Sequence, residues 1–356
     1  MIRLIQAGLG FWGRSWASEI LPQVPAVAVV AHVDPDPAAL ARLQAEGGAP
    51  PERCFTSLAA ALDAVEADAV LGSLALPAHL PVGRAALEAG LHYIVEKPFA
   101  PDLAGGAALV ALARRRGRVL MVSQNYRFYP AAIAAAELVR SGRLGRPLSV
   151  AIDFRRHAPS EGHRYLGIPD PLLADMSIHH FDLLRFVLGR EPVAVACRAW
   201  NPAGSPFAHE AAAFATIELE GGVMASYRGS WVSPAPRTPW AGLWQIELEG
   251  GTAEWTAKGE KAARLAFDRL AVRPLGGDWE TVALPALPLH DRAGALDAFA
   301  RRIAGEAPPG FSGGADNLGT LALTEAAIRS AAAGGAPVAV APLLDAARPI
   351  LQEIPA

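Results

Sequence analysis

Three short stretches of this chain carry residue types at spacings that could do chemistry. The first is Gly8-Leu9-Gly10-Phe11-Trp12-Gly13, with Asp34 further along the chain. A glycine turn of this form can hold a dinucleotide. The first glycine permits the tight turn, the second lets a pyrophosphate approach the backbone, and the third lets helix and strand pack closely. Free N–H groups at the helix start, with its dipole, favour the phosphates. Asp34 follows Gly13 by about twenty residues, where an acidic side chain accepts hydrogen bonds from the adenosine ribose. A carboxylate there also repels a 2′-phosphate, so NAD is the expected cofactor. Arg42, downstream, leaves NADP open.

The second stretch is Glu96-Lys97-Pro98. A lysine at the carboxyl end of a strand, partly desolvated, can polarise or protonate a reacting oxygen. On composition alone the commoner reading is a surface lysine paired with Glu96. The third stretch is Asp175-Met176-Ser177-Ile178-His179-His180-Phe181-Asp182. Asp175 and His179 share a helical face, and His179 and Asp182 are also neighbours. An imidazole beside a carboxylate is an oriented acid or base with a pKa near neutrality. Either histidine could instead be a satisfied core residue. Adjacent histidines diverge on a helix and lack the i, i+4 spacing of helical zinc ligands, so no metal is expected.

The elements that position these residues change character along the chain. Strands are predicted at 2–7, 27–33, 69–75, 92–95 and 119–123, and helices at 12–21, 37–45, 58–65, 79–89 and 103–115. Thr56-Ser57 and Pro101-Asp102 mark two helix starts. Strands separated by helices imply a parallel, doubly wound sheet, which binds ligands outside the carboxyl ends of its strands. Gly8, Asp34, Pro77 and Lys97 all fall on that edge. Beyond residue 122 come a helix at 131–140, a strand at 148–155 and a helix at 176–188. Strand-like runs follow at 193–200, 211–219, 223–231, 243–249 and 252–256. Gly221-Gly222 and Gly250-Gly251 read as hairpin turns. Helices at 291–304 and 315–332 and a strand near 337–341 close the chain. The expected class is α/β: a dinucleotide-binding domain over 1–122, and an α+β domain over 123–356 with a large, mainly antiparallel open sheet.

The net charge of −3 and the absence of a dense basic cluster beyond Arg114-Arg115-Arg116 argue against a nucleic-acid or membrane partner. No uninterrupted apolar run approaches the ~20 residues of a membrane span. The N-terminus enters the first strand directly, which leaves no room for a signal peptide. Cys54 and Cys197 are far apart, so a disulfide framework is not expected and a reducing cytoplasm fits.

Taken together, the glycine turn, Glu96-Lys97-Pro98 and Asp175-x-x-x-His179-x-x-Asp182 resemble the Gfo/Idh/MocA family, the glucose–fructose oxidoreductase and inositol dehydrogenase relatives. The similarity extends through Ala86-Leu87-Glu88-Ala89-Gly90, Arg127-Phe128 and Ser312-Gly313-Gly314-Ala315-Asp316-Asn317. It implies a Rossmann domain that binds NAD or NADP, and a second domain whose sheet forms a homodimer or homotetramer interface. The implied activity is hydride transfer to or from a sugar, cyclitol or other polyol. The implied alternatives on the same scaffold are NAD-dependent glycoside cleavage or epimerisation by transient oxidation, or a non-catalytic dinucleotide-binding regulator.

By the same resemblance Lys97 is the catalytic lysine, His179 the proton-transfer residue and Asp175 a substrate-orienting residue. Pro98 follows a cis peptide. Cofactor contacts are expected from Gly8, Gly10, Phe11, Trp12, Gly13, Asp34, Pro77, His79, Glu96 and Lys97. Substrate contacts are expected from Lys97, Arg127, Arg156, Asp175 and His179. Tyr126, Arg155, His157, His163, Arg164 and Tyr165 are further candidates. The chain departs from the family where glycines usually surround the aspartate: it has Pro171-Leu172-Leu173-Ala174 before Asp175 and Ser177 after it. The loop between Pro77 and His79 is also shorter than usual.

Overall fold

The computed structural model describes residues 1–157, 164–260 and 264–352. The chain forms two compact units. The first comprises Met1–Asn125, Leu289–Leu318 and the described residues from Ala346. The second comprises Tyr126–Pro288 and Gly319–Asp345.

Six strands build the first unit: β1 (Ile2–Ala7), β2 (Val27–Val33), β3 (Cys54–Phe55), β4 (Ala69–Gly72), β5 (His92–Val95) and β6 (Leu120–Val122). Their order is β3-β2-β1-β4-β5-β6, and every neighbouring pair is parallel. These strands are nearly continuous apolar runs, as a sheet covered on both faces requires. Between them run α1 (Phe11–Ser15), α2 (Pro37–Ala45), α3 (Leu58–Ala64), α4 (Leu76–Glu88) and α5 (Leu103–Arg115). The expected caps are present. Ser57 Oγ accepts the Ala60 N–H at 3.2 Å, and Asp102 Oδ1 accepts the Gly105 N–H at 2.7 Å. The order reverses between β1 and β4, the place where such sheets open a crevice for ligand.

Three local expectations shift. The predicted helix at 12–21 is α1 followed by a wider π-helical turn, Trp16–Ile20, which buries Trp16 and Ile20. The strand predicted to reach residue 75 ends at Gly72, because Ser73 turns to donate its N–H to Ala7 and its hydroxyl to the Gly8 carbonyl. Helix α4 begins at Leu76, with Pro77 in the first turn where its missing N–H is no loss.

The second unit is built on β7 (Pro147–Arg155), β8 (Pro192–Trp200), β9 (Ala212–Leu219), β10 (Val223–Ser230), β11 (Leu243–Leu248), β12 (Gly251–Thr256), β13 (Arg269–Pro274), β14 (Glu280–Thr281) and β15 (Val338–Ala339). The nine-stranded order is β14-β13-β12-β11-β7-β10-β9-β8-β15, and only the β7–β10 pair is parallel. Burial alternates along β9 and β10, so one face is packed and the other is open. One hairpin turns at Gly221-Gly222 as expected; the other turns one residue earlier than expected, at Glu249-Gly250, with Gly251 opening β12. Helices α6 (Pro130–Ser141) and α7 (Ile178–Leu188) pack together.

The closing helices are α8 (Asp291–Ile303), α9 (Gly314–Ala332) and α10 (Ala341–Gln352). In the first unit, Val122 donates its N–H to Ser312 O, the Ser312 hydroxyl donates to Val122 O, and Gln124 donates to Asn317. These bonds join the segment after α8 to the end of β6. No helix among the described residues is long and apolar enough to cross a membrane.

Candidate functional site

The glycine turn is dictated by packing at two positions and left open at a third. Gly8 has φ +92°, and a Cβ there would lie 2.5 Å from the Ser73 carbonyl oxygen. At Gly13 a Cβ would stand 2.0 Å from the Gly8 oxygen. A Cβ on Gly10 would meet nothing within 4 Å. So Gly8 and Gly13 are required by the protein's own backbone, while Gly10 borders space that a ligand can enter, which is the fit a pyrophosphate needs. Phe11 and Trp12 extend from the same turn and are exposed, their rings 5.5 Å apart edge to face.

Asp34, just past β2, turns toward this loop. Its carboxylate accepts the Leu9 N–H at 2.6 Å and the Asp36 N–H at 2.9 Å. Each oxygen keeps a lone pair for a ribose diol. Arg42, the cation that left NADP open, pairs with Asp36 at 3.5 Å.

At the end of β5, the Glu96 carboxylate accepts the Trp16 indole N–H at 2.8 Å. Lys97 follows, half-buried, and the Lys97–Pro98 bond is cis. His79, 2% exposed, has its Nδ1 2.8 Å from Pro98 O and its Nε2 3.1 Å from Leu74 O. Burial lowers its pKa, and a neutral ring has one N–H for these two carbonyls. His79 therefore tethers the start of α4 to the Pro98 turn, which is a supporting position. Pro77 lies two residues earlier on the same helix start.

In the second unit, the Pro171–Ser177 stretch is π-helical and continues into α7. Apolar residues pack this stretch: Leu172, Leu173 and Met176 are buried, and the Trp231 indole donates to Pro171 O at 3.1 Å. Asp175, partly exposed, lies in this stretch, and His179 lies in the first turn of α7. The His179 ring stacks on Tyr126, centroids 4.1 Å apart and planes 3° from parallel. His180 is the core histidine. It is fully buried between the Tyr227 hydroxyl at 3.2 Å and Trp240 O at 3.1 Å, and burial pushes its pKa down to about 4.

Two expected substrate contacts are engaged within the protein. Arg127 and Asp182, both nearly inaccessible, form a bidentate pair at 2.7 and 2.6 Å, and Thr320 donates to the same carboxylate at 3.0 Å. Asp182 thus serves a buried ion pair. A role as orienter of His179, read from sequence spacing, has no support in its bonding. Arg156 is buried, lies 3.8 Å over the Trp240 ring and pairs with Glu260. Arg155 pairs with Asp153 at 3.2 Å, and Tyr165 stacks on Trp231 at 6.3 Å. His163 lies outside the described residues, as does the side chain of Arg164.

Sequence reasoning missed several neighbours of these residues. Trp16 and Arg292 adjoin the glycine turn, with Arg292 donating to Ser15 Oγ at 2.7 Å. Lys258, with φ +61°, holds its amine 4.5 Å over the Tyr126 ring that stacks on His179. A non-glycine residue in that conformation costs energy and often marks a functional position. Its backbone N–H is accepted by Asp268 at 3.0 Å, whose pKa burial raises to about 6. Only Trp16 had a local signal: it lies three residues past Gly13, in the helix that follows the glycine turn.

Comparison with known proteins fits this geometry. A family model described as an oxidoreductase family with an NAD-binding Rossmann fold matches residues 2–124. The GFO/IDH/MocA C-terminal domain model matches residues 132–254. The chain is similar to the D-apiose dehydrogenase of Paraburkholderia graminis, 30% identical over 343 residues that cover 92% of this chain and 87% of that one. It is similar to an inositol 2-dehydrogenase of Corynebacterium glutamicum, 31% identical over 227 residues, 63% of this chain and 65% of that one. In fold it resembles an oxidoreductase from Agrobacterium radiobacter solved with NAD+, L-tartaric acid and magnesium. The TM-score is 0.83 at 23% identity, over 96% of this chain and 99% of that one. With residues 2–124 and 132–254 matched in order and a dehydrogenase aligned along most of its length, the protein belongs to the Gfo/Idh/MocA family of oxidoreductases and carries that family's NAD-binding Rossmann domain.

Proposed function

We propose that this enzyme moves a hydride between NAD and a secondary hydroxyl or carbonyl of a sugar, cyclitol or related polyol. The observation that carries the reading lies in the first unit. A glycine turn open at Gly10 is joined through the Trp16–Glu96 hydrogen bond to the strand end that bears Lys97. The names of the two curated relatives, a D-apiose dehydrogenase and an inositol 2-dehydrogenase, support the substrate class.

The backbone around Gly10 holds the diphosphate in this reading, and Asp34 holds the adenosine ribose. When bound, NAD supplies the hydride acceptor. The Lys97 ammonium donates a hydrogen bond to the reacting oxygen and stabilises the negative charge that develops there. His179 takes the hydroxyl proton during oxidation and returns it during reduction, a contribution of about 10²–10⁴ in rate. Asp175 accepts from a substrate hydroxyl and orients it. Tyr126, stacked on His179, fixes the plane of that ring.

The open face of the large sheet exposes Trp200, Phe214 and Met224, with Trp200 and Phe214 in ring contact at 4.9 Å. We assign that face to a homodimer or homotetramer contact. Cys54 and Cys197 are free thiols, which suits a reducing cytoplasm.

The test is NAD reduction over a panel of polyols, inositols and aldoses, with identification of nucleotide released on denaturation. NADH formation with a member of the panel is expected. Tightly held nucleotide with no net NADH from any member would contradict an exchanging dehydrogenase and indicate transient oxidation instead.

A further inference from the structure

We propose that Arg292 is a cofactor-binding residue, a buried guanidinium that binds the diphosphate of the dinucleotide at the glycine turn. The proposal rests on the reading of the first unit as the NAD site and adds to it a residue from the far end of the chain. Arg292 is the second residue of α8 and is 4% exposed. Its Nη2 donates to Ser15 Oγ at 2.7 Å, and its guanidinium lies 4.8 Å over the Trp12 ring and 5.3 Å over Trp16. All three residues belong to the turn and helix that open at Gly10.

The charge on Arg292 is unanswered among the described residues. Its contacts are a hydroxyl and two aromatic faces, and no carboxylate pairs with it among the described residues. The nearby Glu96 carboxylate is bonded to the Trp16 indole nitrogen. Arg292 Nη1 is wholly buried and has no hydrogen-bond partner. A buried cation with a spare N–H is costly unless an anion meets it. By contrast, each of the buried arginines Arg127, Arg156 and Arg185 has a carboxylate partner. The guanidinium fork matches the oxygens of a diphosphate better than an ammonium does.

Two rings cover the guanidinium. Trp16 is fully buried, whereas Trp12 is 42% exposed. Trp12 is therefore the ring that yields when Nη1 meets the ligand. A role limited to packing predicts that Arg292 affects every ligand of the turn alike. A diphosphate-binding role predicts that only ligands with a diphosphate are affected.

Calorimetric titration with NAD, ADP-ribose and adenosine separates these. Arg292→Gln should weaken NAD and ADP-ribose by about tenfold to a hundredfold, the range expected for a lost charged hydrogen bond, and leave adenosine unchanged. Arg292→Lys should recover part of the loss, and it serves if the glutamine variant does not fold. Wild-type affinity for ADP-ribose in either variant, or an equal loss for adenosine, would overturn the assignment. Failure of the wild-type protein to bind NAD would instead sink the dinucleotide reading itself.

Discussion

The indole N–H of Trp16 donates to the Glu96 carboxylate at 2.8 Å, tying the helix after the glycine turn to the strand end that carries Lys97. A residue that senses the cofactor loop thus touches the neighbour of the proposed catalytic lysine. Trp16→Phe removes the bond and leaves a smaller aromatic ring in the buried site. It should cost about 1–3 kcal/mol of stability, because a half-buried charged acceptor loses its donor. It should also lower kcat while leaving the KM for NAD within a few-fold. Thermal unfolding and steady-state kinetics check both, and an unchanged kcat would show that the bond does not position Lys97.

Asp34 offers a test of cofactor choice. Asp34→Asn keeps an acceptor for the Leu9 N–H, so the loop is preserved while the charge is gone. NAD affinity should fall, and NADP affinity should rise by about tenfold as repulsion of the 2′-phosphate is removed. Titration with both nucleotides measures this. A preference for NADP in the wild-type enzyme would refute the role given to Asp34.

The Arg127–Asp182 pair is a structural prediction. Both side chains are almost wholly buried. Removing one partner leaves the other charge uncompensated, at a cost of about 3–5 kcal/mol. Asp182→Ala should therefore unfold at markedly lower denaturant concentration. A loss below about 1 kcal/mol would be the value of an exposed pair and would show that water reaches the site.

The stability of the protein should fall in acid through its buried histidines. Burial lowers His180 and His32 from 6.5 to about 4. The folded state favours the neutral rings, so the stability they contribute is complete above 6.5 and is lost as pH falls through about 4. A shift of this size is about 3 kcal/mol for a fully buried ring. Denaturant melts across that window should show the decline, with a shallower slope in His180→Gln. An identical slope would mean that His180 titrates normally in the folded chain.

Much of this was legible because it is local. The glycine turn, Asp34 and the doubly wound order follow from strand, turn and helix punctuation within short windows. Contacts between distant segments were not legible. Asp182 reads as the partner of His179 by spacing, yet it pairs with Arg127, which lies on another element. Arg292 has no motif around it, and only the return of α8 to the first unit brings it to Trp12. Strand β13 was missed because Arg269–Pro274 buries only Leu270 and Val272 between charged ends. Helix α10 was not predicted; it continues through Pro349, a residue that costs a helix one hydrogen bond.

The central claim is that Lys97 acts on the reacting oxygen while the glycine turn holds the cofactor independently of it. The most direct measurement is Lys97→Ala, with NAD affinity and turnover determined on the same preparation. The account predicts NAD binding within a few-fold of the wild-type value and a loss of turnover of about 10² or more. Turnover equal to that of the wild-type enzyme would contradict it.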